Sequence, residues 1–319
     1  MPLHPPSCSR RDFFGRVSSC AAHVALMAVG APLWARRAWS TQTRFPVVAS
    51  EPWGRIEHVA EGVWAMVSTP LEDRTTLCNG GIVAGRAGVV LIESFATGSG
   101  ARWMAEQASR LTGRSPTHVV LTHYHSDHTG GLAAVGGGDV STLVTPVTRD
   151  QTGDRNPGAA LDVLRDAVVL DGRRPSEIDL GDRSLIVVPR RGHTDSDLSI
   201  EIPEARTVFC GDLVWNGMFP NYVDARPSRL SNEVRVMRAL GSRTYVPGHG
   251  PLADAPALDA YLGLLDDVGE AARRALERGL TAEEAGAEYR LPAGLEEWTL
   301  FSPGYFARAL DAWMTELRG

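Results

Sequence analysis

Residues 122–131 read Thr-His-Tyr-His-Ser-Asp-His-Thr-Gly-Gly, and this stretch constrains the fold more than any other. Within six positions it sets out His123, His125, Asp127 and His128. Neutral imidazole and carboxylate are the donors that borderline cations such as zinc prefer. The apolar run Val119-Val120-Leu121 before it reads as a buried strand, and Thr129–Ala134 after it can open a helix. Four candidate ligands therefore sit on a loop at the carboxyl end of a strand, where open α/β sheets place their sites. Such a string arises by chance far more rarely than most short motifs.

The 319 residues, 43% of them hydrophobic, suffice for one large domain or two small ones. Short β-like runs begin near Arg55. Residues 55–59 and 62–67 form one expected hairpin, and 80–83 and 89–93 another, across a turn at 84–88 with two glycines. Residues 101–112 have helical spacing, with Trp103, Met104, Ala108 and Leu111 facing inward. Residues 154–160 are rich in turn formers and read as a surface loop. Strands are expected at 118–121, 185–189, 198–202, 207–210 and 244–246, and helices at 228–240, 256–278, 281–289 and 303–317. Two sheets packed face to face with helices outside satisfy this order.

Three further fragments each set a candidate ligand on a loop beside a strand, a rigid mounting. They are Gly192-His193-Thr194-Asp195-Ser196-Asp197, Cys210-Gly211-Asp212 and Val246-Pro247-Gly248-His249-Gly250. Taken in order, His123-x-His125-x-Asp127-His128, His193, Asp212 and His249 resemble the ligand series of the metallo-β-lactamase superfamily over roughly residues 53–255. The resemblance implies an α/β fold, a four-layer αββα sandwich, spanning 50–255 with a helical extension at 256–319. It also implies two divalent metal ions, zinc first and iron or manganese as alternatives. His123, His125 and His193 would hold one ion and Asp127, His128 and His249 the other. Asp212 would bridge them together with a water or hydroxide. Asp127 and Asp212 are the expected catalytic carboxylates. Many members carry aspartate where this chain has Glu93, whose expected task is to orient a ligand histidine from behind.

The implied activity is hydrolysis of a carbonyl ester, lactone, thioester or amide-like bond of a small molecule by a metal-bound hydroxide. An aspartate at position 212 is similar to glyoxalase II-type thioesterases and lactonases, whereas β-lactamases of the superfamily commonly have cysteine or serine there. A periplasmic β-lactamase is the second reading, and a mononuclear iron enzyme that oxidises persulfides the third. The aromatic, turn-rich loop 215–222 is expected to wall the substrate pocket. Trp215 would line it, and Asn221 or Tyr222 would donate to an oxyanion.

Ser9-Arg10-Arg11-Asp12-Phe13-Phe14 resembles the twin-arginine export motif, and a charge-free stretch from Val17 to Ala35 follows it. Residues 1–49 are read as export signal and linker of a bacterial periplasmic protein, with Val47-Val48-Ala49 one candidate cleavage site and no stable membrane insertion. Beyond residue 40 there are 27 basic and 37 acidic side chains, a balance that argues against nucleic acid as partner. All 32 basic residues are arginine, which excludes lysine nucleophiles. Cys78 and Cys210, the two cysteines outside the export segment, are expected to be buried thiols.

Overall fold

The computed structural model describes residues 43–70, 73–155 and 159–319. The export-like segment at 1–42 lies outside the described residues. Among the described residues no helix is long and apolar enough to cross a membrane.

Among the described residues thirteen strands form two sheets. The first has eight strands in chain order: β1 (Val47–Glu51), β2 (Gly54–Ala60), β3 (Val63–Ser68), β4 (Gly80–Ala84), β5 (Val89–Ile92), β6 (His118–Val120), β7 (Ser141–Val144) and β8 (Val168–Val169). Pairing is antiparallel up to β5 and parallel from β5 to β8. The second sheet runs β13 (Thr244–His249), β12 (Thr207–Trp215), β11 (Asp197–Ile202), β10 (Ser184–Arg190) and β9 (Ser176–Asp179), and only β12 and β13 pair in parallel.

Alternation along the strands sorts the side chains into layers. Val90, Ile92 and Val120 meet Leu198, Ile200, Phe209 and Val246 between the sheets. Val89, Leu91 and Val119 face the other way, onto Trp103, Met104 and Ala108 of α1 (Gly98–Thr112). Thr97 Oγ1 caps α1 by accepting from Gly100 N, and Gly113 ends it in the left-handed region. On the outer face of the second sheet, Val208, Cys210 and Tyr245 pack against α5 (Pro227–Ala239), α6 (Ala255–Glu277) and α8 (Gly304–Arg318). The layers run helix, sheet, sheet, helix. Cys78 and Cys210 are free, buried thiols.

Several boundaries differ from the sequence reading. Residues 44–49 belong to the fold rather than to a linker. β1 pairs with β2, and Arg44 N and Phe45 N both donate to the buried Glu57 carboxylate at 3.0 Å. A cut after Ala49 would sever that strand. In the segment 154–160 expected as a loop, the described ends are helical: α3 (Pro146–Arg155) runs to Arg155 and α4 (Ala159–Arg165) begins at Ala159, after α2 (Ser126–Thr129) and a 3₁₀ turn at Leu132–Ala134. β12 and β13 run on past 210 and 246 because their parallel pairing continues, through register breaks, to Trp215 opposite His249. The final helix, after α7 (Ala282–Glu288), covers the second sheet as part of the same outer layer.

Asn79 ties the two sheets together beside the strand ends that carry candidate ligands. Its Nδ2 donates to Pro247 O at 2.9 Å and to Gly250 O at 2.7 Å, and its Oδ1 accepts from Ser68 N at 2.9 Å. All of these groups are buried, so truncation leaves them without partners. Asn79→Ala should cost about 3 kcal/mol in urea unfolding. A loss below about 1 kcal/mol would mean that the staple contributes little.

Candidate metal centre

The chain leaves β6 at Val120 and turns at once into α2, a single turn that starts from His125. Ser94, just beyond β5, holds this turn down: its N and its Oγ both donate to His128 O at 2.9 Å. His123 and His125 lie on the approach, and Asp127 and His128 on α2 itself. His193 lies between β10 and β11, Asp212 within β12, and His249 at the end of β13.

All seven expected ligands come together. Ligand atoms of His123, His125, His193 and Asp212 lie within 4.8 Å of one another, as do those of Asp127, His128 and His249, and a third group of Glu93, His123 and His128 joins the two. The Asp212 carboxylate faces both. Its Oδ2 is 3.3 Å from His193 Nε2 and 3.9 Å from His123 Nε2. Its Oδ1 is 3.1 Å from His128 Nε2 and 3.3 Å from His249 Nε2. His125 Nδ1 lies 3.0 Å from His193 Nε2, and Asp127 Oδ2 lies 3.2 Å from His249 Nε2.

Nε2 of His123, His128 and His249 and Oδ1 of Asp212 are buried with no hydrogen-bond partner. Buried polar groups normally have partners, and leaving four unpaired around one point is expensive. All four are lone-pair donors directed at a common space, which is what a divalent cation requires. The imidazole and carboxylate set fits zinc or a similar borderline ion.

Supporting groups set each imidazole. Glu93 Oε1 faces His128 Nδ1 at 3.0 Å and also accepts from Thr122 Oγ1, which in turn lies 3.0 Å from His123 Nδ1. One carboxylate thus directs Nε2 of a histidine in each group towards the centre. Glu93 itself is held at φ 72, a strained conformation for a residue with a side chain. His125 Nε2 lies 2.9 Å from Asp224 Oδ2. Asp197 accepts from the backbone N–H groups of Gly192, His193 and Thr194 and from Thr194 Oγ1, and so shapes the His193 turn. Trp215 lies against His249, ring centroids 4.1 Å apart. A Cβ on Gly248 would fall 1.9 Å from Asp212 Oδ1, and Gly250 sits at φ 96, so glycine brackets His249 out of steric need.

The charges separate the histidines. Burial, reinforced by neighbouring His128 and His125, pushes His123 well below the usual imidazole range. Burial likewise pushes His193 down to about 3. Burial also opposes the charged form of His249, but Asp212 and Asp127 outweigh it and raise that group to about 9. The two aspartates are held well below the usual carboxylate range, against the pull of burial, by His128 and His249.

The loop expected to wall a pocket is placed differently. Trp215 is 1% exposed and packs on His249. Tyr222 sits in the apolar cluster beneath α8 with one edge on a cavity, and Asn221 Oδ1 accepts from Arg308. Of the three, Tyr222 lines a cavity, and Asn221 is engaged through its acceptor oxygen. Sequence reasoning missed Thr122, Asn79, Asp197 and Asp224. Thr194-Asp195-Ser196-Asp197 carries a turn signal that could have pointed to Asp197. Asp224 and Asn79 act across long sequence separations and leave no local trace.

The family model of the metallo-beta-lactamase superfamily matches residues 74–249. A hydroxyacylglutathione hydrolase of Rhodospirillum rubrum is 28% identical over 143 residues, 44% of this chain and 50% of that protein. The chain spans about half the length of the curated relatives of that name that come first in similarity. Among solved structures, a metallo-beta-lactamase from Erythrobacter litoralis has TM-score 0.57 at 22% identity, covering 70% of this chain and 100% of that one. The sec-alkylsulfatase Pisa1 of a Pseudomonas species has TM-score 0.65 at 16% identity, covering 80% and 49%. At these identities the structural likeness is one of fold.

Metal uptake should depend on pH in a defined direction. Between the ordinary imidazole value of 6.5 and about 9, His249 of the metal-free protein keeps a proton that a ligating imidazole must release. Apparent zinc affinity should therefore rise with pH through this range, His128 being raised as well, with proton release visible in calorimetry across buffers. Affinity independent of pH over that window would contradict the assignment of His249.

Proposed function

The chain belongs to the metallo-β-lactamase superfamily, and on that premise we propose that it is a metal-dependent hydrolase cleaving a carbonyl ester, lactone, thioester or amide-like bond of a small molecule. The observation that carries this reading is Asp212, one buried carboxylate facing two separate ligand groups. The groups fit two divalent ions, zinc first. When bound, such a pair supplies Lewis acidity that polarises a carbonyl and makes a water acidic enough to ionise near neutral pH.

The side chains do the rest. Asp212 and Asp127 offset the charge of the cations. Asp127, whose side chain is 15% exposed against 3% for Asp212, is the carboxylate that substrate can approach. Kept ionised by His128 and His249, it is suited to orient the attacking water as a hydrogen-bond acceptor. Glu93 and Asp224 hold the rings of His128 and His125, so little reorganisation is needed at the moment of reaction. Trp215 and Phe301, ring centroids 6.5 Å apart, close the His249 side with apolar surface.

Asp127→Ala should abolish hydrolysis and lower metal content from about two ions per chain towards one, leaving the fold mostly intact. Metal analysis beside a panel of lactone, thioester and cephalosporin substrates tests this. Unchanged turnover in the variant would sink the two-metal reading. A single iron with oxygen uptake on a persulfide and no hydrolysis would move the protein to the oxidoreductases.

The proposal extends to a bacterial periplasmic location, supported by Ser9–Phe14. Replacing Arg10 and Arg11 together by lysine should retain the protein in the cytoplasm on cell fractionation. Undiminished export of that variant would remove the twin-arginine assignment.

A further inference from the structure

A cavity of about 1090 Å³ opens beside the candidate metal centre. Two of its lining residues touch His125. The Tyr124 ring stands perpendicular to the His125 ring with centroids 5.2 Å apart, and Asp224 Oδ2 lies 2.9 Å from His125 Nε2. A molecule filling the cavity would thus lie against Tyr124 and Asp224, the two lining residues that contact His125.

Elsewhere in the lining stands Arg308, on α8. Its Nη1 donates to Asn221 Oδ1 at 2.8 Å, and its guanidinium carbon lies 5.4 Å from the centroid of the Tyr305 ring. Asn221 and Tyr305 are buried, 2% and 4% exposed, so the anchor points are rigid. Both are also neutral. They set the guanidinium in place without cancelling its charge.

The other charges of the cavity are largely spoken for. Arg226 is gripped by Asp195 through two hydrogen bonds of 3.0 and 3.1 Å. Asp224 faces His125, and the Glu316 carboxylate accepts from Ser228 N. Asp311 lies one helical turn beyond Arg308, yet among the described residues no ion pair joins Arg308 to it or to any other carboxylate. The surface beyond residue 40 is acidic overall, so a fixed arginine with unspent donors is conspicuous in this lining.

We propose that Arg308 anchors a carboxylate of the substrate, so that the enzyme acts on small acids whose scissile bond is carried towards His125 and Asp212 while the charged arm stays on α8. A guanidinium held at one corner still offers two parallel N–H donors, which match a carboxylate. The substrate part of this inference rests on the hydrolase reading above; the anion site does not.

The test joins a binding arm to a turnover arm in the metal-loaded full chain. Calorimetry with adipate monoamide measures the anion site, using Arg308→Ala and Arg308→Gln; the glutamine keeps a neutral amide donor but loses the charge, the reach and the paired donors of the guanidinium. Turnover of p-nitrophenyl hydrogen adipate is compared with that of p-nitrophenyl hexanoate. Both variants should weaken adipate monoamide binding by about tenfold to a hundredfold and lower the acid-to-neutral ratio of kcat/KM by a similar factor, chiefly through KM. Binding unchanged in both variants would overturn the proposal, whatever the esters do. Binding that depends on Arg308 with neither ester hydrolysed would leave the anion site standing and count against the hydrolase reading instead.

Discussion

The carboxylate of Asp212 is the constraint around which the molecule is arranged. It is buried, 4% exposed, and a buried unpaired charge is among the costliest features a fold can carry. Its two oxygens are met by histidines from different parts of the chain: His193 and His123 on one side, His128 and His249 on the other. That meeting requires the carboxyl end of β6 in the first sheet to lie against β12 and β13 in the second. The β13 backbone passes so close to Asp212 that position 248 has room only for hydrogen. The apolar layer between the sheets supplies the cohesion, and Asp212 sets where the two sheets must come together.

Around this carboxylate the chain uses few residues for several tasks. Glu93 reaches His128 directly and His123 through Thr122, so a single side chain orients one histidine on each side of Asp212. Asp197 gathers four donors to shape the turn that presents His193, and Asn79 gathers Pro247, Gly250 and Ser68 to hold the turn that presents His249. These are hydrogen bonds from rigid strand ends. They keep the imidazole nitrogens converging although several of those nitrogens have no partner within the protein. The helices after residue 255 belong to the same design. They bury the outer face of the second sheet and carry Arg308 to the edge of the cavity beside His125.

Much of this was legible locally. The 123–128 cluster stands out because residues of one loop must lie near one another wherever the loop goes. Helical spacing in α1 and α6 likewise reports which face is buried. Legibility failed where pairing overrides pattern. Cys210-Gly211-Asp212 looks like a strand end, yet β12 continues through it because β13 pairs alongside with a register break. Residues 44–49 look like a linker, yet Glu57 recruits their backbone into the first sheet. Trp215, Asn221 and Tyr222 follow a candidate ligand and carry suitable chemistry, but the helices fold over them, and burial decides what they can touch.

The sequence by itself determined the 123–128 cluster and the order of strands and helices, because motif spacing and hydrophobic period are properties of neighbouring residues, and its resemblance to a known superfamily implied the other candidate ligands and the layered α/β architecture. Only the tertiary structure decided that Asp212 faces both ligand groups, that Asp224 and Asn79 support His125 and the His249 turn, and that Arg308 stands over a cavity beside the centre. Asp224 lies 99 positions from His125, and the Asn79 bonds span 168 and 171 positions. Contacts of that reach depend on how the two sheets and the outer helices pack against one another, and no local pattern of residue types encodes that packing.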